Sequence, residues 1–285
     1  MNRQQRLASR PAAEPTVENF RLVEVPVPDL HAGQVLVRHH FLSLDPYMRG
    51  RMNEGKSYAA PQPLDEVMIG GTAGEVVATM SDRFAVGDRV VGMGGWQQYQ
   101  VVDAAQAGML RKVDTSKVPL SAYLGPVGMP GVTGWYGLVR IIAPKAGETV
   151  VVSAASGAVG GVVGQLAKLR GARAVGIAGG PEKCAWLVDE LGFDAAIDYK
   201  AGPIGRRLHE ECPKGIDIYF DNVGGEILDA CLGQLALHAR VVCCGAISAY
   251  NDRSAAYGLT NYFSLITRRA RMEGFLILDY QDRFG

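Results

Sequence analysis

The chain has 285 residues, of which 48% are apolar and 20% charged, and this composition excludes a disordered or fibrous protein. Its 29 basic and 29 acidic residues cancel, so the charge balance does not favour a nucleic-acid partner. A chain of this length typically folds as about two domains.

The first 120 residues have the pattern of a β-rich domain. Strand-like runs occur at 20–25, 34–42, 74–79, 89–91 and 96–102. Glycine and proline interrupt these runs, and no long helical period is present. We therefore predict a small β-barrel-like domain over residues 1–120.

From residue 121 to residue 285, strand patterns alternate with helix patterns. The predicted strands are 149–153, 174–178, 195–199, 216–221, 240–245 and 274–278. The predicted helices are 158–169, 181–191, 204–211, 226–237 and 262–271. This alternation predicts an α/β domain with a doubly wound parallel sheet.

The five cysteines, at 184, 212, 231, 243 and 244, are odd in number and form no Cys-x-x-Cys pair. A disulfide framework or a structural zinc site is therefore not expected. The N-terminus lacks the pattern of a signal peptide, and the long uncharged stretches at 118–139 and 149–167 are interrupted by proline or glycine. We expect a reduced cytoplasmic protein without membrane spans.

The turn after the first predicted α/β strand carries a dinucleotide-binding pattern. It has the sequence Ala155-Ser156-Gly157-Ala158-Val159-Gly160, a variant of the Gly-x-Gly-x-x-Gly fingerprint. A side chain at Gly157 would collide with a pyrophosphate, and Gly160 lets the helix approach the strand. The free N–H groups of the helix then bind the pyrophosphate. The alternative is a glycine-rich turn that serves packing alone.

The end of the second α/β strand indicates which nucleotide is bound. NAD sites place an acid there for the ribose hydroxyls. This chain instead has Ala178-Gly179-Gly180, followed by Lys183 at the start of the next helix. Glycine leaves room for a 2′-phosphate and lysine neutralises it, so we predict NADP(H). The alternative for Lys183 is a solvated helix residue.

Several motifs outside the glycine turn resemble one enzyme family. Residues 70–77 and 86–90 resemble first-domain motifs of medium-chain dehydrogenases/reductases. Residues 42–52, 128–134, 220–225, 244–251 and 271–275 resemble those of the zinc-independent, NADPH-dependent alkenal/one (prostaglandin/leukotriene) reductases. Residues 7–11 and 18–22 are most similar to the bacterial curcumin-reductase branch. The first domain contains no cysteine and only His31, His39 and His40, so no catalytic metal is expected.

The resemblance implies a GroES-like β-barrel domain followed by a Rossmann domain, assembled as a homodimer. It implies reduction of the carbon–carbon double bond of an α,β-unsaturated ketone or aldehyde, with hydride added at the β-carbon. Members of the family extend beyond the strand at which this chain stops, so we expect a C-terminal return segment of the first domain to be absent here.

An enolate oxygen needs a hydrogen-bond donor, and a tyrosine hydroxyl stays protonated at neutral pH. Tyr250, after the fifth α/β strand, is our first candidate for enolate stabiliser or proton donor, and Tyr47 is the second. Tyr47, Tyr58 and Tyr262 are candidate substrate-binding residues. Each could instead be a half-buried aromatic with its hydroxyl at the surface.

The resemblance also implies the cofactor contacts. Gly157, Ala158, Val159 and Gly160 would bind the pyrophosphate, Lys183 and Tyr199 the 2′-phosphate, and Asn222 would lie near the ribose. The nicotinamide side would be formed by Cys244, Gly245, Ala246, Ile247, Ser248 and Tyr250, and the far edge by Phe275, Leu276 and Ile277. Asn222 could also be a simple turn residue, since two glycines follow Val223.

Two other functions stay open from the sequence. One is a zinc-free quinone reductase of the same superfamily. The other is a non-catalytic protein that binds NADPH.

Overall fold

A computed structural model describes residues 1–55, 57–106, 110–252 and 257–283, with residues 281–283 described by their backbone only. The chain separates into two compact units, Met1–Gly128 and Met129–Gly285. The domain boundary that we placed after residue 120 stays a prediction.

The first unit is built from antiparallel strands. These are β1 (Asn2–Leu7), β2 (Phe20–Val25), β3 (Gln34–Leu42), β4 (Thr72–Thr79), β5 (Arg89–Gly92), β6 (Tyr99–Asp103) and β7 (Leu110–Lys112). One short helix, α1 (Tyr47–Arg51), follows β3. β1 pairs with β2, and the other strands form a five-stranded sheet in the order β6-β3-β4-β5-β7. Buried valines and other apolar side chains from β3 to β7 form its core.

β1 was missed in the sequence because it carries no alternating apolar pattern. Its inward-facing Asn2 and Gln4 are polar but buried. The Asn2 amide donates to the Gln97 side chain at 3.0 Å and to the Tyr99 carbonyl at 2.9 Å, and the Gln4 amide donates to Gln97 at 2.8 Å. These hydrogen bonds satisfy a buried polar face that hydrophobic periodicity cannot detect.

The second unit alternates helices with parallel strands. Its helices are α2 (Met129–Trp135), a π-helix (Tyr136–Ile142), α3 (Ala158–Leu169), α4 (Pro181–Asp189), α5 (Ile204–Glu211), α6 (Gly225–Gly233) and α7 (Ser264–Thr267). Its strands are β8 (Thr149–Ser153), β9 (Arg173–Ala178), β10 (Ala195–Asp198), β11 (Ile216–Asp221), β12 (Leu235–Cys243) and β13 (Arg271–Gly274). The short 3-10 helices Ile247–Ala249 and Ile277–Arg283 complete it.

The six strands of this sheet have the order β10-β9-β8-β11-β12-β13. The chain order therefore reverses between β8 and β11, which is where open α/β sheets bind ligands. Val150 and Val152 of β8 join the apolar core on one face, with Val163 of α3, and Val151 joins the core on the other face. This alternation shows helices packed on both faces, and the predicted fold class is confirmed.

The helix predicted at 226–237 and the strand predicted after it, at 240–245, have other bounds in the structure. The helix predicted at 226–237 ends at Gly233, because Leu235 already pairs with Ile216 in β12. β12 then continues past a left-handed residue, His238, with φ 62°. The interrupted ladder hides the strand from a local pattern.

The last predicted helix and strand are also shifted. The helix predicted at 262–271 is only the short α7, and the strand predicted at 274–278 is β13, which ends at Gly274. Arg271–Gly274 pairs residue by residue with Arg240–Cys243. This ladder, rather than local propensity, makes the segment extended.

No helix in the described ranges is long and apolar enough to cross a membrane. Within the same ranges, no three His, Cys, Asp or Glu side chains group as a set of metal ligands.

Candidate functional site

The turn between β8 and α3 packs closely against the first turn of α3. A Cβ at Gly160 would lie 2.4 Å from the Ala154 carbonyl oxygen and 2.8 Å from the Ala155 Cα atom. Such an approach admits only glycine, so Gly160 is required by the fold itself. The predicted packing role of this glycine is therefore visible in the geometry.

Gly157 is under a weaker steric constraint from the protein than Gly160. It is the N-cap of α3, and a Cβ there would meet one atom, the Ala154 carbonyl oxygen, at 3.1 Å. No side chain caps this 12-residue helix, so its first N–H groups are not used by an N-cap side chain. Gly157 thus leaves the open end of a helix accessible, as a phosphate ligand needs.

A cleft of about 470 Å³ opens beside this helix end. It is lined by Ala154, Ser156, Gly157, Glu182, Lys183 and Trp186. The cleft brings Lys183 of α4 to the same space as the glycine turn, although the two are far apart in sequence. A cation and uncapped helix N–H groups around one cleft fit the phosphates of a dinucleotide.

The end of β9 is covered by the residues that follow β10. A Cβ at Gly179 would lie 3.0 Å from the Tyr199 hydroxyl oxygen and 3.0 Å from the Lys200 Cε atom. The Lys200 ammonium lies 6.0 Å from the centre of the Tyr199 ring. The absence of a side chain at Gly179 therefore leaves space for Tyr199 and Lys200. Tyr199 was among the candidate cofactor contacts in the sequence, whereas Lys200 was not.

An acidic residue also lies at this edge of the sheet, although none stands at the end of β9. One oxygen of Asp198, Oδ1, accepts the backbone N–H groups of Gly180 and Lys200, each at 2.9 Å. These two hydrogen bonds and the nearby Lys200 charge hold the pKa of Asp198 below its ordinary value. Asp198 ends β10 rather than β9, so inspection of the second strand alone could not find it.

The turn after β11 is organised by a buried carboxylate. Asp221 accepts hydrogen bonds from the Tyr219 hydroxyl at 2.8 Å, the Ser153 hydroxyl at 3.1 Å and the Gly224 N–H at 3.0 Å. The side-chain amide of Asn222 donates to the Ser153 carbonyl at 2.8 Å. Asn222 therefore links the ends of β8 and β11 at the point where the sheet order reverses.

The segment after β12 is hydrogen-bonded to the turn that follows β11. Cys244 N–H donates to the Asp221 carbonyl at 2.8 Å, and the Ser248 hydroxyl donates to the Val223 carbonyl at 2.6 Å. Ile247 N–H donates to the Asn222 carbonyl at 3.3 Å. The structure thus brings together Asn222 and the predicted nicotinamide-side residues Cys244, Gly245, Ala246, Ile247 and Ser248.

Phe275, Leu276 and Ile277 follow the neighbouring edge strand. Phe275 N–H donates to the Cys243 carbonyl at 3.4 Å, and its ring stacks on Tyr136 with centroids 6.3 Å apart. Ile277 is buried. These residues therefore begin beside the end of β12, next to the segment that carries residues 244–248.

The candidate tyrosines of the second unit differ in placement. The Tyr250 hydroxyl folds back and accepts the Ala246 N–H at 3.4 Å, at the end of β12 where ligands bind in such sheets. Tyr262 precedes α7 and is 60% exposed. The geometry therefore places Tyr250, but not Tyr262, against the predicted nicotinamide-side segment.

The candidate tyrosines of the first unit are neighbours. Tyr47 begins α1 and is half-buried, whereas Tyr58 is 57% exposed. Burial, then the charge of Asp45, and to a lesser degree Tyr58, raise the pKa of Tyr47 to about 12 despite the opposing charge of Arg51. The Tyr47 hydroxyl is therefore protonated throughout the neutral range.

Comparison with known proteins identifies the family. Residues 3–110 match the family model of the N-terminal domain of oxidoreductase, and residues 158–284 match that of zinc-binding dehydrogenase. The chain is 45% identical over 287 residues to the NADPH-dependent curcumin reductase of Escherichia coli (strain K12), covering 99% of this chain and 82% of that protein. The chain belongs to the zinc-independent medium-chain dehydrogenase/reductase family.

Two further proteins similar to this chain support the same family. The 2-alkenal reductase (NADP(+)-dependent) of Nicotiana tabacum is 44% identical over 264 residues, which cover 90% of this chain and 75% of that protein. The crystal structure of CurA in complex with NADPH from Vibrio vulnificus has a TM-score of 0.92 and 46% identity, and the match covers 99% of this chain and 85% of that chain. The predicted family is confirmed.

The name of the second family model refers to zinc, but this reductase has no cysteine before Cys184. The cysteines that follow are half-buried or buried. Burial and the nearby Asp221 raise the pKa of Cys243 to about 11. Such a thiol is protonated near neutral pH in the metal-free protein.

Proposed function

We propose that this reductase uses NADPH to saturate the carbon–carbon double bond of α,β-unsaturated ketones or aldehydes. The observation that carries the proposal is the 45% identity, over 99% of the chain, to an NADPH-dependent curcumin reductase. The name of the tobacco relative supports the same cofactor and the same class of reaction, and the Vibrio structure in complex with NADPH supports the same cofactor.

The residues that would hold the cofactor are those of the cleft and the neighbouring turns. The first turn of α3, from Gly157 to Gly160, would bind the pyrophosphate through its N–H groups, and Lys183 and Tyr199 would bind the 2′-phosphate. Asn222, the 244–248 segment and residues 275–277 would line the remainder. When bound, NADPH supplies a hydride to the substrate β-carbon.

The protein must stabilise the negative charge that develops on the substrate carbonyl oxygen. The Tyr250 hydroxyl accepts the Ala246 N–H through a lone pair, which leaves its proton for an oxyanion. The Tyr47 hydroxyl, with its pKa raised to about 12, is likewise a donor at every physiological pH. We propose Tyr250 as the main donor, Tyr47 as the second, and Tyr58 and Tyr262 as substrate contacts.

The test is NADPH oxidation by the purified protein with a short alkenone, compared with benzoquinone as acceptor. We expect loss of reduced-nicotinamide absorbance with the alkenone, and a product two mass units heavier that retains its carbonyl group. Turnover with benzoquinone alone would instead identify a quinone reductase. NADPH binding without turnover of any acceptor would identify a non-catalytic protein.

A further inference from the structure

We infer that Asp198 is a positioning residue for cofactor selection, which sets the 2′-phosphate pocket by tying two turns together. The inference rests on the proposed function, because it assumes that NADPH is bound beside Lys183 and Tyr199. It adds Asp198 to the residues that determine cofactor selection, although Asp198 would not contact the phosphate and is, like the phosphate, negatively charged.

The geometry of Asp198 is specific. It is the last residue of β10 and is paired with Ala178, the last residue of β9. Its Oδ1 atom accepts the N–H of Gly180, in the turn after β9, and the N–H of Lys200, in the turn after β10. A single carboxylate oxygen therefore holds both turns at the ligand-binding edge of the sheet.

Each of these turns carries part of the predicted phosphate pocket. Gly180 has φ 99° and is the N-cap of α4, whose third residue is Lys183. Tyr199 and Lys200 lie over Gly179. The turn at Gly180 has glycine's broad conformational freedom, so the Asp198 hydrogen bond restricts where α4 begins.

The negative charge of Asp198 is compatible with a nearby phosphate only because it is compensated. The two backbone donors and Lys200 lower the pKa of Asp198, so the group is ionised at neutral pH. An asparagine would keep an acceptor oxygen for both N–H groups without the charge. The hydrogen bonds, rather than the charge, are therefore the contribution to cofactor selection.

The experiment measures binding rather than turnover. Dissociation constants for 2′,5′-ADP and for 5′-AMP are obtained by isothermal titration calorimetry, and the dissociation constant of 5′-AMP divided by that of 2′,5′-ADP reports recognition of the 2′-phosphate. We expect Asp198→Ala and Asp198→Glu to lower this ratio about tenfold, since alanine removes the acceptor of both backbone hydrogen bonds and the longer glutamate displaces it. Asp198→Asn should keep the ratio or raise it.

Asp194 provides a matched control at the opposite end of the same strand. Its Oδ2 accepts the Ala174 N–H at 2.7 Å, and its Oδ1 accepts from Lys168 at 2.6 Å. Asp194→Ala thus removes a similar backbone hydrogen bond far from the cleft, and it should leave the ratio unchanged. A purely structural role of Asp198 would weaken both ligands equally, as general destabilisation does.

The outcomes separate this inference from the proposed function. If the unmodified protein does not prefer 2′,5′-ADP to 5′-AMP, both the inference and the NADPH assignment fail. If it does, and the Ala and Glu variants keep the preference, the positioning role alone is overturned. Because the ratio is taken within each variant, a partly unfolded preparation does not alter it.

Discussion

Among the residues that line the cleft, Lys183 alone carries a positive charge. Lys183→Ala should weaken NADPH about 10- to 100-fold and NADH little, since it removes a cation from a phosphate that only NADPH has. Cofactor dissociation constants from fluorescence titration test this. An equal loss for both nucleotides would refute the phosphate assignment.

The matched control for that substitution is Lys168→Ala. Lys168 lies near the end of α3 and pairs with Asp194 at 2.6 Å, at the other edge of the sheet. An exposed ion pair of this kind contributes little to stability. We therefore expect unchanged affinity for both nucleotides.

The two catalytic tyrosine candidates can be separated by single-atom changes. Tyr250→Phe removes the proposed main donor and should lower kcat by about 10²–10³, as loss of an oxyanion donor does elsewhere. NADPH affinity should stay near that of the parent protein. Tyr47→Phe should lower kcat less, and a larger effect there would reverse the order of the two donors.

At the scale of elements, the β8 turn and α3 combine a structural glycine with a functional one. A Cβ at Gly160 would lie within 2.8 Å of two turn atoms, whereas one at Gly157 would meet a single oxygen at 3.1 Å. The same Gly→Ala change should thus have different consequences at positions three residues apart.

We predict that Gly160→Ala lowers the melting temperature by about 5–10 °C, because the helix must move away from the turn. Gly157→Ala should fold with a melting temperature near that of the parent and lose most of its NADPH affinity. Thermal melting and cofactor titration on the two variants decide this. Equal melting temperatures for the two would contradict the structural assignment of Gly160.

The elements that sequence patterns predicted well are those with strong local signals. The bounds of β3, β8, α3, α5 and β11 agree with the predicted ranges. Polar β1 and the strand β13 were missed or shifted, because each owes its extended conformation to a partner strand distant in sequence. Such pairing overrides local propensity.

At the scale of the whole molecule, the chain spans 82% of the length of the curcumin reductase that it matches. β13 is one of the two edge strands of the six-stranded sheet, and all four of its residues are exposed. An exposed edge is a template for pairing with another chain. The predicted homodimer would use this edge.

Sedimentation velocity at micromolar concentration should therefore show a dimer. Met272→Lys adds a charge to β13 and should shift the population towards monomer, since charged edges oppose strand pairing. Leu169→Lys is the control, because Leu169 is exposed at the end of α3, away from that edge. A monomeric parent protein would remove the basis for this assembly.

Like the elements of the fold, the residues of the candidate site fall into those that local sequence patterns could predict and those that they could not. The glycine turn, Lys183 and Tyr250 could be proposed from the sequence because each follows a predicted strand. The contacts of Lys200 and Asp198 could not, since they join residues from two turns.

The sequence alone determined the βα alternation, the glycine turn and the lack of an acid after β9, because these depend on residues only a few positions apart. The tertiary structure decided which distant groups meet, such as Gly180 with Asp198, 18 residues apart, and Ser153 with Asn222, 69 residues apart. Parallel strands bring such groups to one edge only when the sheet is assembled, and no local pattern records their pairing.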